Sequence, residues 1–162
     1  MIAVETSQVP SASARRWLNQ DHRLIVGGRH VPGRKGAPMA VVDPAVESTL
    51  TEVDSAGEAD VEAAVEAARL AFDSGPWRRM STVERCKLLL GFADGIERDL
   101  ELLSALEIAN TGKLRRDVIN GELPAAVAIL RYMAGWTTKI DGRTMSLGGS
   151  SQFHAYTLRE PI

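Results

Sequence analysis

A thiol, three imidazoles, two glycine pairs and several paired carboxylates are the groups from which this chain could build a reaction centre. Cys86 stands in the run Glu84 Arg85 Cys86 Lys87, within a helical pattern and with no histidine near it. A thiolate needs a stabilising cation or helix terminus, so the residue reads as a packed or partly exposed helical cysteine rather than a nucleophile. His22, His30 and His154 are far apart in sequence and never at metal-ligand spacing, which predicts no metal chemistry from them. Gly27 Gly28 and Gly148 Gly149 each lie between two extended segments, whereas a dinucleotide cradle needs three spaced glycines between a strand and a helix N-terminus. Glu62 and Glu66 are i,i+4 neighbours on a polar helix face, the pattern of a solvated surface rather than of an acid/base pair. Taken alone, these residues describe a soluble α+β domain with no assembled catalytic group.

The chain has 162 residues, long enough for one domain with a core, and is 44% hydrophobic and 25% charged, the balance of an ordinary globular protein. With 19 basic and 21 acidic residues its net charge is -2, which offers no global attraction to nucleic acid or to an anionic membrane. The single cysteine excludes an internal disulfide and suits a reducing compartment, which points to the cytoplasm. The longest apolar run, Leu88 to Ala93, is far short of the ~20 residues of a membrane-spanning helix, and the N-terminus lacks the pattern of a signal peptide.

The elements that must position any site follow from periodicity. Residues 1–20 lack a sustained period and read as a flexible leader, with at most one amphipathic turn at Arg15 to Leu18. Leu24 to Val31 is a hairpin around Gly27 Gly28, Met39 to Val42 is a short extended segment before the Asp43 Pro44 turn, and Thr49 to Val53 leans to β. From Glu58 the period becomes helical, with Val61, Val65, Ala68 and Phe72 on one face, until Ser74 Gly75 Pro76. Ser81 and Glu84 form a capping box for a second helix with Val83, Leu88, Phe92 and Ile96 as its apolar stripe. A third helix carries Leu100, Leu103, Leu106 and Ile108 to Thr111 Gly112 Lys113. A fourth spans Val118 to Lys139, interrupted near its start by Pro124, which suits a first-turn residue with the preceding turn as a separate entry, and has a buried face of Ala125, Ile129, Tyr132, Met133 and Trp136. After the exit at 139–142, two alternating segments flank Gly148 to Ser151 and predict an antiparallel hairpin, which as an isolated pair calls for a third strand.

Read together, these stretches resemble the N-terminal part of the NAD(P)-dependent aldehyde dehydrogenase superfamily. The resemblance is carried by Leu24 to Val31; Val42 Asp43 Pro44; Asp60 Val61 with Ala63 Ala64 and Ala67 Ala68; Trp77, Ser81, Glu84 Arg85, Leu89 and Ala93; Thr111 Gly112 Lys113; Leu130 Arg131 Tyr132 with Ala134 Gly135 Trp136; and Arg159 Glu160 Pro161 Ile162. It implies an α/β fold in which a β-hairpin, four helices and a two-stranded oligomerisation arm form part of an incomplete Rossmann-like domain. The implied organisation is a leader at 1–20, the hairpin and helical part of the cofactor-binding domain at 21–139, the arm at 140–160, and the start of a core strand at 161–162.

The implied reaction is oxidation of an aldehyde to a carboxylic acid through a thiohemiacetal on a cysteine. Hydride passes to NAD or NADP, a glutamate assists hydrolysis, and an asparagine side chain lies in the oxyanion hole. In the family those three residues come after the Arg Glu Pro segment, the asparagine in a Pro Trp Asn run, so the chain is expected to be an N-terminal fragment that neither binds NAD(P) productively nor turns over aldehyde. The resemblance places Gly121, Glu122 and Ala125 beside the aldehyde tunnel. It places Val41, Val42 and Asn110 at a monovalent-cation site, where the family often has aspartate at the position of Asn110; Leu114 likewise stands where proline is common. Thr144, Met145, Leu147, Phe153, Ala155, Tyr156 and Leu158 fall on the arm, expected to serve a homo-oligomer, dimer or tetramer, or to dock onto a complementary fragment. A non-catalytic interaction module built from the same segment is the alternative. A helical domain unrelated to dehydrogenases is a third reading, which a helical 142–160 would favour.

Overall fold

The computed structural model describes residues 11–34, 36–149 and 152–160. Helix α1 (Ala12–Leu18) opens on Ser11, whose hydroxyl accepts from the Ala14 amide at 3.3 Å, and it packs on α5 (Leu100–Thr111) with Ala14 fully buried. The leader expected at 1–20 is therefore helical over 12–18, because a serine cap and a tertiary contact supply what two weak turns lack alone. Residues 1–10 lie outside the described residues.

Strands β1 (Leu24–Val26) and β2 (Arg29–Val31) pair antiparallel as expected, Gly27 and Gly28 at φ 58° and 76° giving the turn whose twist matches the strands. β3 (Met39–Asp43) and β4 (Ser48–Val53) form a second hairpin with a bulge between Val41 and Val42. The Asp43 carboxylate accepts from the Ala45 amide at 2.8 Å, which fixes the turn that the Asp–Pro pair begins.

Helix α2 (Glu58–Ser74) stops at Gly75, and the short α3 (Pro76–Arg79) follows. α4 (Thr82–Arg98) opens with the expected capping box: the Ser81 hydroxyl accepts from the Glu84 amide while the Glu84 carboxylate accepts from the Ser81 amide at 2.8 Å. Arg85 ties α4 back to α3, donating to the carbonyls of Trp77 and Arg78 at 3.2 and 3.3 Å with its guanidinium over the Trp77 ring. Three residues that carry the resemblance, Trp77, Glu84 and Arg85, thus hold one helix junction.

After α5, α6 (Arg115–Asp117) runs into a π-helical turn (Val118–Glu122) and then α7 (Leu123–Ala134), with Pro124 in the first turn of α7. The 118–139 helix is thus interrupted at Pro124 as expected, the preceding turn forming a separate entry. Past Ala134 the backbone tightens into i→i+3 bonds, Trp136 to Met133 and Lys139 to Trp136, so the regular helix ends five residues early. Finally β5 (Thr144–Met145) and β6 (Ala155–Tyr156) pair antiparallel, a far shorter ladder than the alternation predicts. Two strands without a third leave little to propagate a ladder.

The core is thin. Among the described residues the buried apolar side chains are Ala14, Ala93, Ala109, Val118, Val127 and Ala134. The predicted apolar stripe of α7, and that of α4 except Ile96, prove to be outward. On α4 the packed positions are Cys86, Leu89, Ala93 and Ile96, while Val83, Leu88 and Phe92 are 56%, 51% and 62% exposed. On α7 the packed positions are Leu123, Val127, Leu130 and Ala134, and the stripe expected to be buried faces out. α4 and α7 pack on each other through the first set. Val61, Val65 and Phe72 of α2 are also exposed.

Candidate functional site

A half-open cleft of ≈ 520 Å³ lies between the end of α1, the two hairpins and α5. Its walls are apolar, from Trp17, Ile25, Val41, Leu50, Leu103 and Leu106, and His22, His30, Glu107 and Asn110 add polar groups. His22 is held there by three contacts: its ring lies against Trp17 with centroids 4.3 Å apart, its Nε2 is 3.3 Å from the Leu18 carbonyl, and its own carbonyl accepts from the Asp54 amide. The Leu18 carbonyl also accepts from the Thr51 hydroxyl at 2.7 Å, which joins the C-terminus of α1 to β4. The fold therefore brings His22 and His30 to one cleft although their spacing in sequence gives no hint of it. Among the described residues no group of three or more His, Cys, Asp or Glu forms a metal cage.

Val41 and Asn110, expected at a cation site, line this cleft together, whereas Val42 faces away and is 48% exposed. Glu107, a carboxylate on the cleft wall, is engaged by Lys113 at 3.0 Å, and Asn110 contributes a neutral amide oxygen. Lys113 also reaches Glu122 at 2.8 Å, and the two carboxylates hold its ammonium pKa above the ordinary value. This bridge fastens the end of α5 to the π-helical turn. Gly121 and Glu122 stand on that turn and Ala125 on the first turn of α7, all exposed. Cys86 is partly exposed on α4, and the structure brings no histidine contact to it.

The most constrained ionisable group was missed in sequence. Asp60, 4% exposed, accepts from the amides of Arg34 at 3.0 Å and Gly57 at 2.9 Å, with the Arg34 guanidinium 3.5 Å away. The backbone bonds from Arg34 and then Gly57 hold its carboxyl below the ordinary 3.8, against the opposing effect of burial. Asp54 accepts from Gly33 and Ser55 donates to Ala37, so Gly33 and Ala37 are tied to the residues that lead into α2. In sequence Asp60 stands out only within the Asp60 Val61 pair of the family resemblance, and its spacing of three from Gly57 is the local signal of the helix start.

On the arm, Thr144 and Met145 pair with Tyr156 and Ala155, and the Arg143 amide donates to the Thr157 hydroxyl at 2.8 Å. Leu147, Phe153 and Leu158 fall outside the ladder and are 53%, 67% and 71% exposed. None of the described residues of 142–160 is helical, which removes the helical alternative for that segment. A Cβ on Gly142 would strike the Thr157 carbonyl backbone. Gly142→Ala is therefore expected to open the base of the arm, read as loss of cross-strand NOEs between Thr144 and Tyr156 with the helical circular dichroism unchanged.

The fold and its surfaces define an α/β segment of hairpins and helices that carries no assembled catalytic constellation among the described residues and turns much of its apolar surface outward. Residues 30–162 match the aldehyde dehydrogenase family, and the chain belongs to it. It is 44% identical over 147 residues to human aldehyde dehydrogenase 1A1, a match covering 90% of this chain and 27% of that one. It is 39% identical over 157 residues to the mitochondrial aldehyde dehydrogenase family 2 member B4 of Arabidopsis thaliana, covering 94% and 29%. The NAD+ complex of the Bacillus cereus aldehyde dehydrogenase superposes with a TM-score of 0.85 at 37% identity over 93% of this chain and 30% of its own. The chain thus spans less than a third of the length of these relatives.

Proposed function

We propose that this chain is the N-terminal segment of an enzyme that oxidises an aldehyde to a carboxylic acid with NAD or NADP, and that by itself it is inactive. One observation carries the reading: the apolar faces of α2, α4 and α7 point outward in a fold that superposes closely on part of a much longer dehydrogenase. A segment of an incomplete Rossmann-like domain has that property, because its helices are shaped to be covered.

Within this reading, Gly121, Glu122 and Ala125 form one border of the aldehyde tunnel, supported by their exposure on the π-helical turn and α7. The assignment of Val41, Val42 and Asn110 to a monovalent cation rests on the family resemblance, with neutral oxygens as the donors. The arm residues Met145, Leu147, Phe153, Tyr156 and Leu158 serve subunit association, supported by their outward apolar side chains. Among the described residues no helix is long and apolar enough to cross a membrane, and we place the protein in the cytoplasm. The exposed arm also favours a second reading, a non-catalytic module that joins full-length subunits.

The test is a dehydrogenase assay of the chain with a panel of aliphatic and aromatic aldehydes and with NAD and NADP separately. Reduced cofactor accumulates at the background rate in every combination. Turnover above background overturns the inactivity.

A further inference from the structure

Lys113 leaves α5 through a chain reversal that turns its side chain back towards the helix. Gly112 closes α5 with φ 71°, and the Thr111 hydroxyl, donating to the Glu107 carbonyl at 2.6 Å, steadies the last turn. The ammonium then meets carboxylates from two elements, Glu107 of α5 at 3.0 Å and Glu122 of the π-helical turn at 2.8 Å. That turn is wide, since the Leu123 amide donates to the Val118 carbonyl, an i→i+5 bond. Its start is pinned by the fully buried Val118 and its end by the bridge from Glu122 to Lys113. Between the two pins stands Gly121, where among the described residues a Cβ would meet nothing within 4 Å. Arg116, on the segment between, is engaged by Asp117 at 3.2 Å, so the hold on Glu122 falls to Lys113.

We propose that Lys113 is a positioning residue for aldehyde selection: it draws the Glu122 carboxylate onto α5 and so keeps the space before Gly121 uncharged and open to bulky apolar aldehydes. This rests on the reading above that puts Gly121 and Glu122 on the tunnel border. Glu122 follows Gly121 directly, so a carboxylate released from Lys113 stands one residue from that space and brings its hydration with it. A bulky apolar aldehyde entering there strips water from the charge, and a polar group desolvated without a partner opposes binding. A small aldehyde leaves the border wet and does not meet this cost. Bridges between partly exposed groups are weak, so the effect is a several-fold shift in selection and not loss of the fold.

The experiment has two arms, amide exchange in this chain and kinetics of a full-length chimera in which the chain replaces the matched segment of the Bacillus cereus enzyme. In the chain, Lys113→Met should speed exchange of the Leu123 amide about threefold, and Lys113→Arg should keep it within about twofold of the parent. Equal exchange in the parent and Lys113→Met removes the pin and overturns the proposal. In the chimera, with NAD, the ratio of kcat/KM for a naphthaldehyde to that for acetaldehyde should fall about fivefold in Lys113→Met, through KM for the naphthaldehyde. Lys113→Arg should restore the ratio. Adding Glu122→Gln to Lys113→Met should restore it too, because the amide carries no charge to strip of water. A ratio that does not move in Lys113→Met overturns the proposal, and so does a fall that the added Glu122→Gln leaves in place, which gives Lys113 a structural role alone. Should the chimera not fold, Glu107, Lys113, Gly121 and Glu122 are placed at the matching positions of the Bacillus cereus enzyme and the same ratios are read. A folded chimera that oxidises neither aldehyde overturns the catalytic reading, whereas one that oxidises both with an unmoved ratio overturns the role of Lys113 alone.

Discussion

Val118→Asp leaves the chain unfolded at room temperature, and Val118→Ala lowers its unfolding free energy by about 2 kcal/mol. Val118 is the bulkiest fully buried apolar side chain among the described residues, and it opens the π-helical turn where α5, α6 and α7 converge. Removing two methyl groups there loses their transfer free energy and leaves a cavity that the surrounding helices, held by the bridge from Lys113 to Glu107 and Glu122, close only in part. A carboxylate at the same position has no partner. Burying an unpaired charge costs several kcal/mol, which is comparable with the entire stability of a small domain and larger than a thin core can absorb. Urea denaturation followed by circular dichroism measures the alanine variant, and loss of the cooperative transition marks the aspartate one. An aspartate variant that melts like the parent would show that position 118 is open to water.

The second large effect is expected at Asp60. Its carboxylate is the common acceptor for the amides of Arg34 and Gly57, so Asp60→Ala leaves two backbone donors without it and releases the 33–38 loop from α2. Amide exchange at Arg34 and Gly57 should accelerate roughly tenfold or more, with the α4–α7 pair unaffected. The pH dependence follows from the sign of the shift. The folded carboxyl titrates below its unfolded value of 3.8, so the native state holds fewer protons than the unfolded state just below that value. Its stabilisation is fully present above pH 3.8 and is lost as pH falls through the lower, folded value. Acid titration of the parent should show that loss, and Asp60→Asn should show less of it; identical acid profiles would remove Asp60 as the cause.

Much of the architecture was legible because its causes are local. The Gly27 Gly28 turn, the Ser81 and Glu84 capping box, the stop at Ser74 to Pro76 and the entry of α7 at Pro124 each depend on a few neighbouring residues, and each is present. The order of such signals also carried the family, which residues 30–162 bear out. α1 escaped because its stability comes from a contact with α5 some ninety residues away in sequence, which no local window contains. The cleft escaped for the same reason: His22, His30 and Asn110 have no common spacing, and only the packing of α1 and the hairpins against α5 gathers them.

By itself the sequence determined the element boundaries that local caps and turns fix, and the family to which they belong, since those signals act over a few residues. Only the tertiary structure decided which apolar face is inside. α4 and α7 each carry apolar residues on two sides, and a hydrophobic period reports that a face is apolar without reporting what covers it. α4 packs on α7 with the small Ala93 and Ala134 both fully buried, while Phe92, Tyr132 and Trp136 are left outward. Interhelical packing selects complementary shapes, a property of two helices together that neither sequence stretch holds alone.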